Sequence, residues 1–472
     1  MFTSFSETKG FIEKENVEIL DLKYTDLNGR WRHISLPAGS FNQALLENGV
    51  GFDGSGVGFA KAHSSDSAVI VPDLATAALD PFWERKTLSF ICDIVDTVSR
   101  TPFLFDPRGV AKKAEQYLSQ LGWVDKSFWS PEAEFYIFDK VSFTTNYSES
   151  GYQICSSEAA IGSCDLSSGN GILPGEGYHA IPPADTLYNL RSEITANLKL
   201  MGVDIKYHHH EGGGAGQVEI EIPMGGMVKT ADTFMLIKYV AKLTARKWGK
   251  SVTFMPKPIY GDHGSGMHVH QTLWKAKSNL FFDKKGYGGM SDSALFYIAG
   301  LLDHSRALLA LTNPSTNSYR RLIPGFNAPT NLFFSLGSRT AAIRIPKYAT
   351  SEESKRIEYR PPDATCNIYF CLAAQLMAGL DGVEQKTDPA AYGPFDNEIC
   401  TLPEEETKNI QSLPTSFEQA LRELKSDHEF LLRGDIFSRE LIDSWIEFKT
   451  RRELVPIQEA PHPYEFNLYY DV

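Results

Sequence analysis

The chain has 472 residues and a formal net charge of −13, from 46 Lys plus Arg against 59 Asp plus Glu. Its length predicts two or three domains, and 42% hydrophobic residues suffice for a sizeable core, which excludes wholesale disorder. The acidity excludes nucleic acid and anionic membrane surfaces as default partners.

In chain order, strands are predicted at 17–22 and 31–35 around the turn Asp26-Leu27-Asn28-Gly29, whose Asn-Gly step favours a tight hairpin. A further strand is predicted at 88–94. The breaker-rich stretch 100–108 (RTPFLFDPR) then precedes an amphipathic helix over 109–120. That shift marks a domain boundary, with 1–103 small and β-rich and 104–472 the larger unit. The second part predicts strands at 127–138, 204–209, 217–222, 266–273, 331–336, 340–345 and 356–360. Helices are expected at 184–202, 229–248 and 291–312, and after residue 370 the chain reads as mainly helical, with spacing for 417–425 and 438–452. Strands with hairpin-like returns and flanking helices imply an α+β fold on an antiparallel or mixed sheet.

No apolar run reaches the roughly 20 residues needed to cross a bilayer. The longest candidate, 294–312, is interrupted by Asp303, His304 and Arg306. The opening MFTSFSETKG has no basic region followed by an apolar stretch, so no secretory leader is expected. Six cysteines (Cys92, Cys155, Cys164, Cys366, Cys371, Cys400) are scattered without a CxxC pair and predict reduced thiols of a cytoplasmic protein.

The chemistry lies in strands whose alternation gathers polar groups on one face. Glu132 and Glu134 share a face of 127–138; Gln217, Glu219 and Glu221 share one in QVEIEI; His268 and His270 pair in MHVHQ; Arg356, Glu358 and Arg360 line one side of RIEYR. One such strand reads as a solvated sheet face. Four in one domain imply carboxylates close enough to repel unless protonated or bridged by cations. Glu-rich sets with one His suit Mg²⁺ or Mn²⁺ better than a structural zinc, and the arginines suit carboxylates or phosphates. The run His208-His209-His210-Glu211, read alone, is an exposed accident. Its glycine-rich sequel still allows Glu211 and Glu219 to meet at one ion. Gly249-Lys250-Ser251 fails the P-loop pattern because Thr244 stands where glycine is required, and Gly54-Ser-Gly56-Val-Gly58 is not a dinucleotide-binding turn.

These motifs resemble one family along the whole chain, type I glutamine synthetase. The landmarks are Phe52-Asp-Gly-Ser55, 131–135 (PEAEF), Gly216-Gln217, 254–270 (FMPKPIYGDHGSGMHVH), 313–322 (NPSTNSYRRL), 341–346 (AAIRIP), 356–360 and 465–472 (EFNLYYDV). The resemblance implies a β-grasp-like N-terminal domain, a catalytic domain with a curved antiparallel sheet, and twelve subunits in two rings with active sites between neighbours. It implies an ATP-dependent ligase that makes glutamine from glutamate and ammonia through a γ-glutamyl phosphate, with two or three Mg²⁺ or Mn²⁺. One ion would sit on Glu134, Glu211 and Glu219, another on Glu132, His268 and Glu358. Arg321, Arg360 and Gly264 would hold glutamate. Arg339, Arg344 and Arg356 would face the phosphates, with His270 near the nucleotide. Asp53 of an adjacent subunit would help deprotonate ammonium, and Tyr178 belongs to the ammonium pocket.

Several positions depart from the family pattern. Asn327 replaces the flap glutamate, and it can hydrogen-bond but cannot take up a proton. Gly56 replaces a serine, and His263 replaces an asparagine beside the glutamate site. Two alternatives follow: a γ-glutamyl amide ligase for a larger amine (methylamine, ethanolamine or a polyamine), or a catalytically weak metabolite-binding homologue. Cys400 stands where many bacterial members carry an adenylylated tyrosine, so no adenylylation is expected there.

Overall fold

The computed structural model describes residues 2–59, 68–161, 164, 169–397 and 410–472. The first sheet is built from β1 (Ile19–Thr25), β2 (Trp31–Pro37), β3 (Val50–Gly51), β4 (Ala68–Pro72), β5 (Ala78–Asp80) and β6 (Thr87–Asp96), in the order β2-β1-β6-β4-β3 with β5 on β6. β1 and β2 form the predicted hairpin, in register from Ile19 opposite Pro37 to Thr25 opposite Trp31. Its turn closes by Asp26 accepting from the Arg30 amide at 2.9 Å. Gly29 has φ +78°, and a Cβ there would lie 2.6 Å from Asn367 Cα, so both the turn and the approach of the second unit require glycine. β1 pairs parallel with β6.

The second sheet takes β7 (Lys126–Phe138), β10 (Tyr207–His210), β11 (Gln217–Glu221), β12 (Ser251–Thr253), β13 (Val269–Lys275), β14 (Ser278–Asn279), β15 (Asn331–Ser335), β16 (Ala341–Arg344) and β17 (Ile357–Tyr359). Its order is β10-β11-β7-β13-β17-β16-β15, antiparallel except for the β15–β16 pair, which is parallel. A separate hairpin, β8 (Lys140–Thr145) with β9 (Ser150–Cys155), escapes the sequence reading because it is largely exposed and carries no core periodicity. Helix Met227–Lys247 backs the sheet at β7 and β12, and helix Ile368–Gln385 packs among the helices behind it; the latter is largely apolar and buried along most of its length, as a central core helix must be.

Two expectations change. The helix expected over 291–312 is two, Asp292–Asp303 and Ser305–Thr312, bent by 72°. The break falls at His304, whose ring nitrogens reach Asp427 at 2.8 Å and Asp381 at 3.2 Å, so a polar junction sits inside an apolar run. Among the described residues no single helix is long and apolar enough to cross a membrane, and this bent pair is packed in the core. The thiols are not all reduced either: Cys155, at the end of β9, forms a disulfide with Cys164. Their Cα atoms lie 5.5 Å apart, a closeness that no local spacing motif announces. Cys92, Cys366 and Cys371 are free and buried, while Cys400 lies outside the described residues.

Candidate active site

Strand register assembles the site. Glu219 lies opposite Glu134 and Glu221 opposite Glu132, because β11 runs antiparallel to β7. His209 of β10 lies opposite Glu219. On the other side of β7, Glu358 of β17 lies opposite His270 on one neighbour and Arg344 on the other. Period-two alternation therefore stacks the acids, histidines and arginines of six strands on one face, while Val218, Ile220 and Ile357 point into the core.

This face floors a cavity of about 560 Å³. Glu132, Glu134, Glu211, Glu219, His268 and Glu358 all line it. Arg321, Arg360, Gly264, Tyr178 and His263 line it as well, together with Arg339, Arg344 and Asn327. Three predicted residues do not. His270 is buried behind the wall, with Nε2 2.9 Å from Glu132, and Arg356 reaches His270 Nδ1 at 3.4 Å and the Tyr348 hydroxyl at 3.1 Å. Asp53 is exposed on the first unit, accepting from the Ser55 amide at 2.9 Å, away from this cavity.

Three groups bring carboxylate and imidazole atoms within 4.8 Å of one another: Glu132, Glu134 and His268; His209, Glu211 and Glu219; Glu132, Glu221 and His270. His268 Nδ1 is 2.7 Å from Glu132, 3.6 Å from Glu134 and 3.9 Å from Glu358. His209 lies 3.5 Å from Glu211 and 3.6 Å from Glu219. The histidine run is thus no exposed accident. Its alternation sends His209 to the site and buries His210, but only the β10–β11 pairing, invisible in sequence, puts His209 beside Glu219.

The electrostatics follow from crowding. Burial, then the neighbouring Glu134 carboxylate, pushes Glu211 up to about 8. Burial and the charges of Glu132, Glu134 and Glu211 hold Glu219 well above the carboxylate range. Burial also works against the charged form of Glu132, but hydrogen bonds from His268 and His270 outweigh it and hold that carboxyl low. One Glu211 oxygen is buried with no hydrogen-bond partner. Oxygen donors in excess, an orphaned carboxylate oxygen and single histidines fit hard divalent cations.

The rest of the wall is cationic. Arg344 pairs with Glu358 at 2.5 Å, and Arg360 also pairs with Glu358 while donating to the Arg339 carbonyl at 2.9 Å. Arg321 is anchored on the Pro361 carbonyl at 2.6 Å. A Cβ at Gly264 would lie 2.6 Å from the Pro256 carbonyl oxygen and 2.8 Å from Arg321 Cγ, so glycine alone fits there. The flap is a left-handed turn: Phe326 has φ +51° and Asn327 φ +56°. Phe326 is held edge-on by His263 at 5.3 Å, with the Lys257 ammonium 4.3 Å from its ring centre. Lys257, Phe326, Tyr207, His209 and Tyr348 are lining residues that sequence reasoning missed, since nothing local separates them from surface polar and aromatic positions.

Residues 16–97 match the family model described as glutamine synthetase, beta-Grasp domain, and residues 104–469 that described as glutamine synthetase, catalytic domain. The chain belongs to the glutamine synthetase family. It is 45% identical to the glutamine synthetase of Streptomyces coelicolor and 43% identical to that of Nostoc sp., covering 100% and 98% of both partners respectively. A cryo-EM structure of Plasmodium falciparum glutamine synthetase superposes with a TM-score of 0.91 at 27% identity, covering 99% of each chain. The fold is therefore a β-grasp N-terminal domain followed by a catalytic domain on a curled mixed sheet. This glutamine synthetase family member is an ATP-dependent glutamate–ammonia ligase that uses divalent metal ions. The larger-amine and metabolite-binding alternatives raised by Asn327 are not favoured by likeness at 42–45% identity over essentially the full length.

Proposed function

We propose that this cavity carries out the ligation with the following division of labour. Glu134, Glu211 and Glu219 hold one divalent cation, and Glu132, His268 and Glu358 hold a second. Bound there, the cations neutralise nucleotide and substrate charge during phosphoryl transfer. Arg321, Arg360 and the backbone at Gly264 orient glutamate. Arg339 and Arg344 face the phosphates; Arg356 and His270 support them from behind the wall. The observation that supports this reading is the register of β7, β11, β16 and β17, which gathers Glu132, Glu134, Glu219, Glu358 and Arg344 on one cavity face.

A free carboxylate is a poor acyl donor, so ATP phosphorylates the γ-carboxylate before the amine attacks and phosphate leaves. Arg339 and Arg344 stabilise the transferring charge without reorganising, because both are already positioned. The flap over the site shields the acyl phosphate from water. Asn327 can orient the incoming amine but cannot accept its proton, so that role falls to Asp53 of a neighbouring subunit and to the Tyr178 side of the pocket. Residues 1–103 and 104–472 act as two domains, with the first completing a neighbour's site in a cytoplasmic homo-oligomer, a dodecamer in our reading. The exposure of Asp53 and its absence from the lining of its own chain's cavity support that exchange.

With glutamate, ATP and Mg²⁺, phosphate release is fastest with ammonium; faster release with methylamine, ethanolamine or a polyamine would sink the ammonia assignment. Mixing inactive Asp53→Ala and Glu134→Ala subunits restores partial activity if sites are shared between subunits, and gives none if each chain is self-sufficient.

A further inference from the structure

Glu158 is buried to 1% exposure, outside the cavity, and has no part in the chemistry above. One of its oxygens accepts from the Thr186 amide at 2.6 Å and the Thr186 hydroxyl at 3.0 Å. Its other oxygen faces His210 Nε2 at 3.2 Å. His210, fully buried, places Nδ1 2.7 Å from the backbone carbonyl of Glu211. The ring therefore bridges Glu158 and the carbonyl of the residue whose side chain enters the cavity.

The same segment grips the Glu211 loop elsewhere. The Gly177 amide donates to the Gly212 carbonyl at 3.1 Å and the His179 amide to the His210 carbonyl at 3.0 Å. A Cβ at Gly177 would lie 2.5 Å from the Glu211 carbonyl oxygen and 2.6 Å from His210 Cε1, so the two stretches are in direct contact. Glu158 lies in sequence between the two cysteines of the Cys155–Cys164 disulfide. Glu211 lies in a glycine-rich loop between β10 and β11, and no hydrogen bond fixes its buried Oε2. Its aim is set from the backbone side, where Glu158 and His210 act.

We propose that Glu158 is a positioning residue for Glu211: through His210 it fixes the carbonyl of the Glu211 loop and so the aim of that carboxylate into the cation site. This rests on the assignment of Glu211 as a metal ligand. Groups that orient a ligand from behind typically change metal affinity by about ten- to hundredfold when removed. The Glu211, Gly213 and Gly214 amides are paired with the Gln217 carbonyl at 2.8 Å, Gln217 Oε1 at 2.7 Å and Asp262 at 2.9 Å, whereas His210 is what reaches the Glu211 carbonyl itself, so the effect belongs at the site of Glu211 and not at that of Glu132 and His268.

The test is direct Mn²⁺ binding to the full-length protein by electron paramagnetic resonance, with Mn²⁺ dependence of glutamine formation measured in parallel. Glu158→Ala is expected to weaken one Mn²⁺ by about tenfold or more and leave the other unchanged, with kcat recovered at saturating Mn²⁺. Glu158→Gln, which keeps the acceptor for Thr186, is expected to fall between Glu158→Ala and the unaltered protein. Asp185→Asn is the control, because Asp185 forms a buried bidentate pair with Arg191 at 2.8 and 2.6 Å in the same region without touching His210 or Glu211 by hydrogen bond. Unchanged binding in Glu158→Ala, equal loss at both ions, or the same selective loss in Asp185→Asn would overturn the proposal. Glu211→Ala separates the two levels: if it retains both ions, the ligand assignment fails; if it loses one while Glu158→Ala loses none, only the positioning role fails.

Discussion

Two buried charged clusters make opposite use of carboxylates. Where the first sheet meets the helices of the catalytic domain, Arg108 contacts Asp93 at 2.5 Å, Asp73 at 2.9 Å and Asp232 at 2.8 Å, and Lys112 adds a second cation on Asp93 at 2.6 Å. Tyr369 donates to Asp232 at 2.6 Å. There, each acid is neutralised by chain that is already present. In the cavity, Glu132, Glu134, Glu211 and Glu219 crowd together with histidines, while the arginines serve Glu358. The contrast separates an interface that holds two domains together from a site that stays incomplete until ions or phosphates arrive.

Removing a carboxylate is the sharpest way to break the contrast. Glu219→Gln should cut activity by at least about 10²-fold, yet raise the melting temperature of the metal-free protein, because it relieves like-charge repulsion. Calorimetry alongside an activity assay checks both signs, and a lower melting temperature would place Glu219 with the structural acids. Arg108→Met should do the reverse: three acids lose the guanidinium they share, with only Lys112 left as a cation near Asp93 and Asp73, costing about 3–5 kcal/mol, read by denaturant unfolding, with glutamate KM little changed in the protein that remains folded. Chelation followed by Mn²⁺ titration should shift the melting point upward in the unaltered protein, by about 2.7 kcal/mol of stability at a hundredfold excess over Kd. The shift should shrink in Glu219→Gln and persist in Arg108→Met.

The smallest effect concerns a third charged junction, which belongs with the paired class. Burial disfavours the charged form of His304, but Asp381 and Asp427 outweigh it and raise the group from 6.5 to about 9. Its contribution to stability is therefore complete below about pH 6.5 and is lost as pH rises through about 9. His304→Gln should flatten the stability profile across that window, as melting temperatures at stepped pH will report.

Much of the site was legible before folding. The alternation in 127–138, 217–222 and 356–360 placed Glu132 with Glu134, Glu219 with Glu221, and Arg356 with Glu358 on common faces, because period two is a local property of any strand. Asn327 and Tyr178, which the resemblance names, came to line the cavity. His270 and Arg356 did not, since alternation names a face but not its depth: at the centre of the sheet that face lies behind the cavity wall. His304 and the Cys155–Cys164 bridge were missed because each depends on a partner that no local spacing marks.

The sequence by itself determined the class of fold, the strand faces, the acidic character of the site and the family, for these rest on local periodicity and on motifs that survive without coordinates. Only the tertiary structure decided which faces meet. Antiparallel register across β7 set Glu219 against Glu134, the β10–β11 pairing brought His209 to the acids, and the contact of Glu158 with His210 put Glu158 behind Glu211. Those contacts join positions far apart in the chain, and their energies come from burial and pairing that exist only once the sheet has closed around its core.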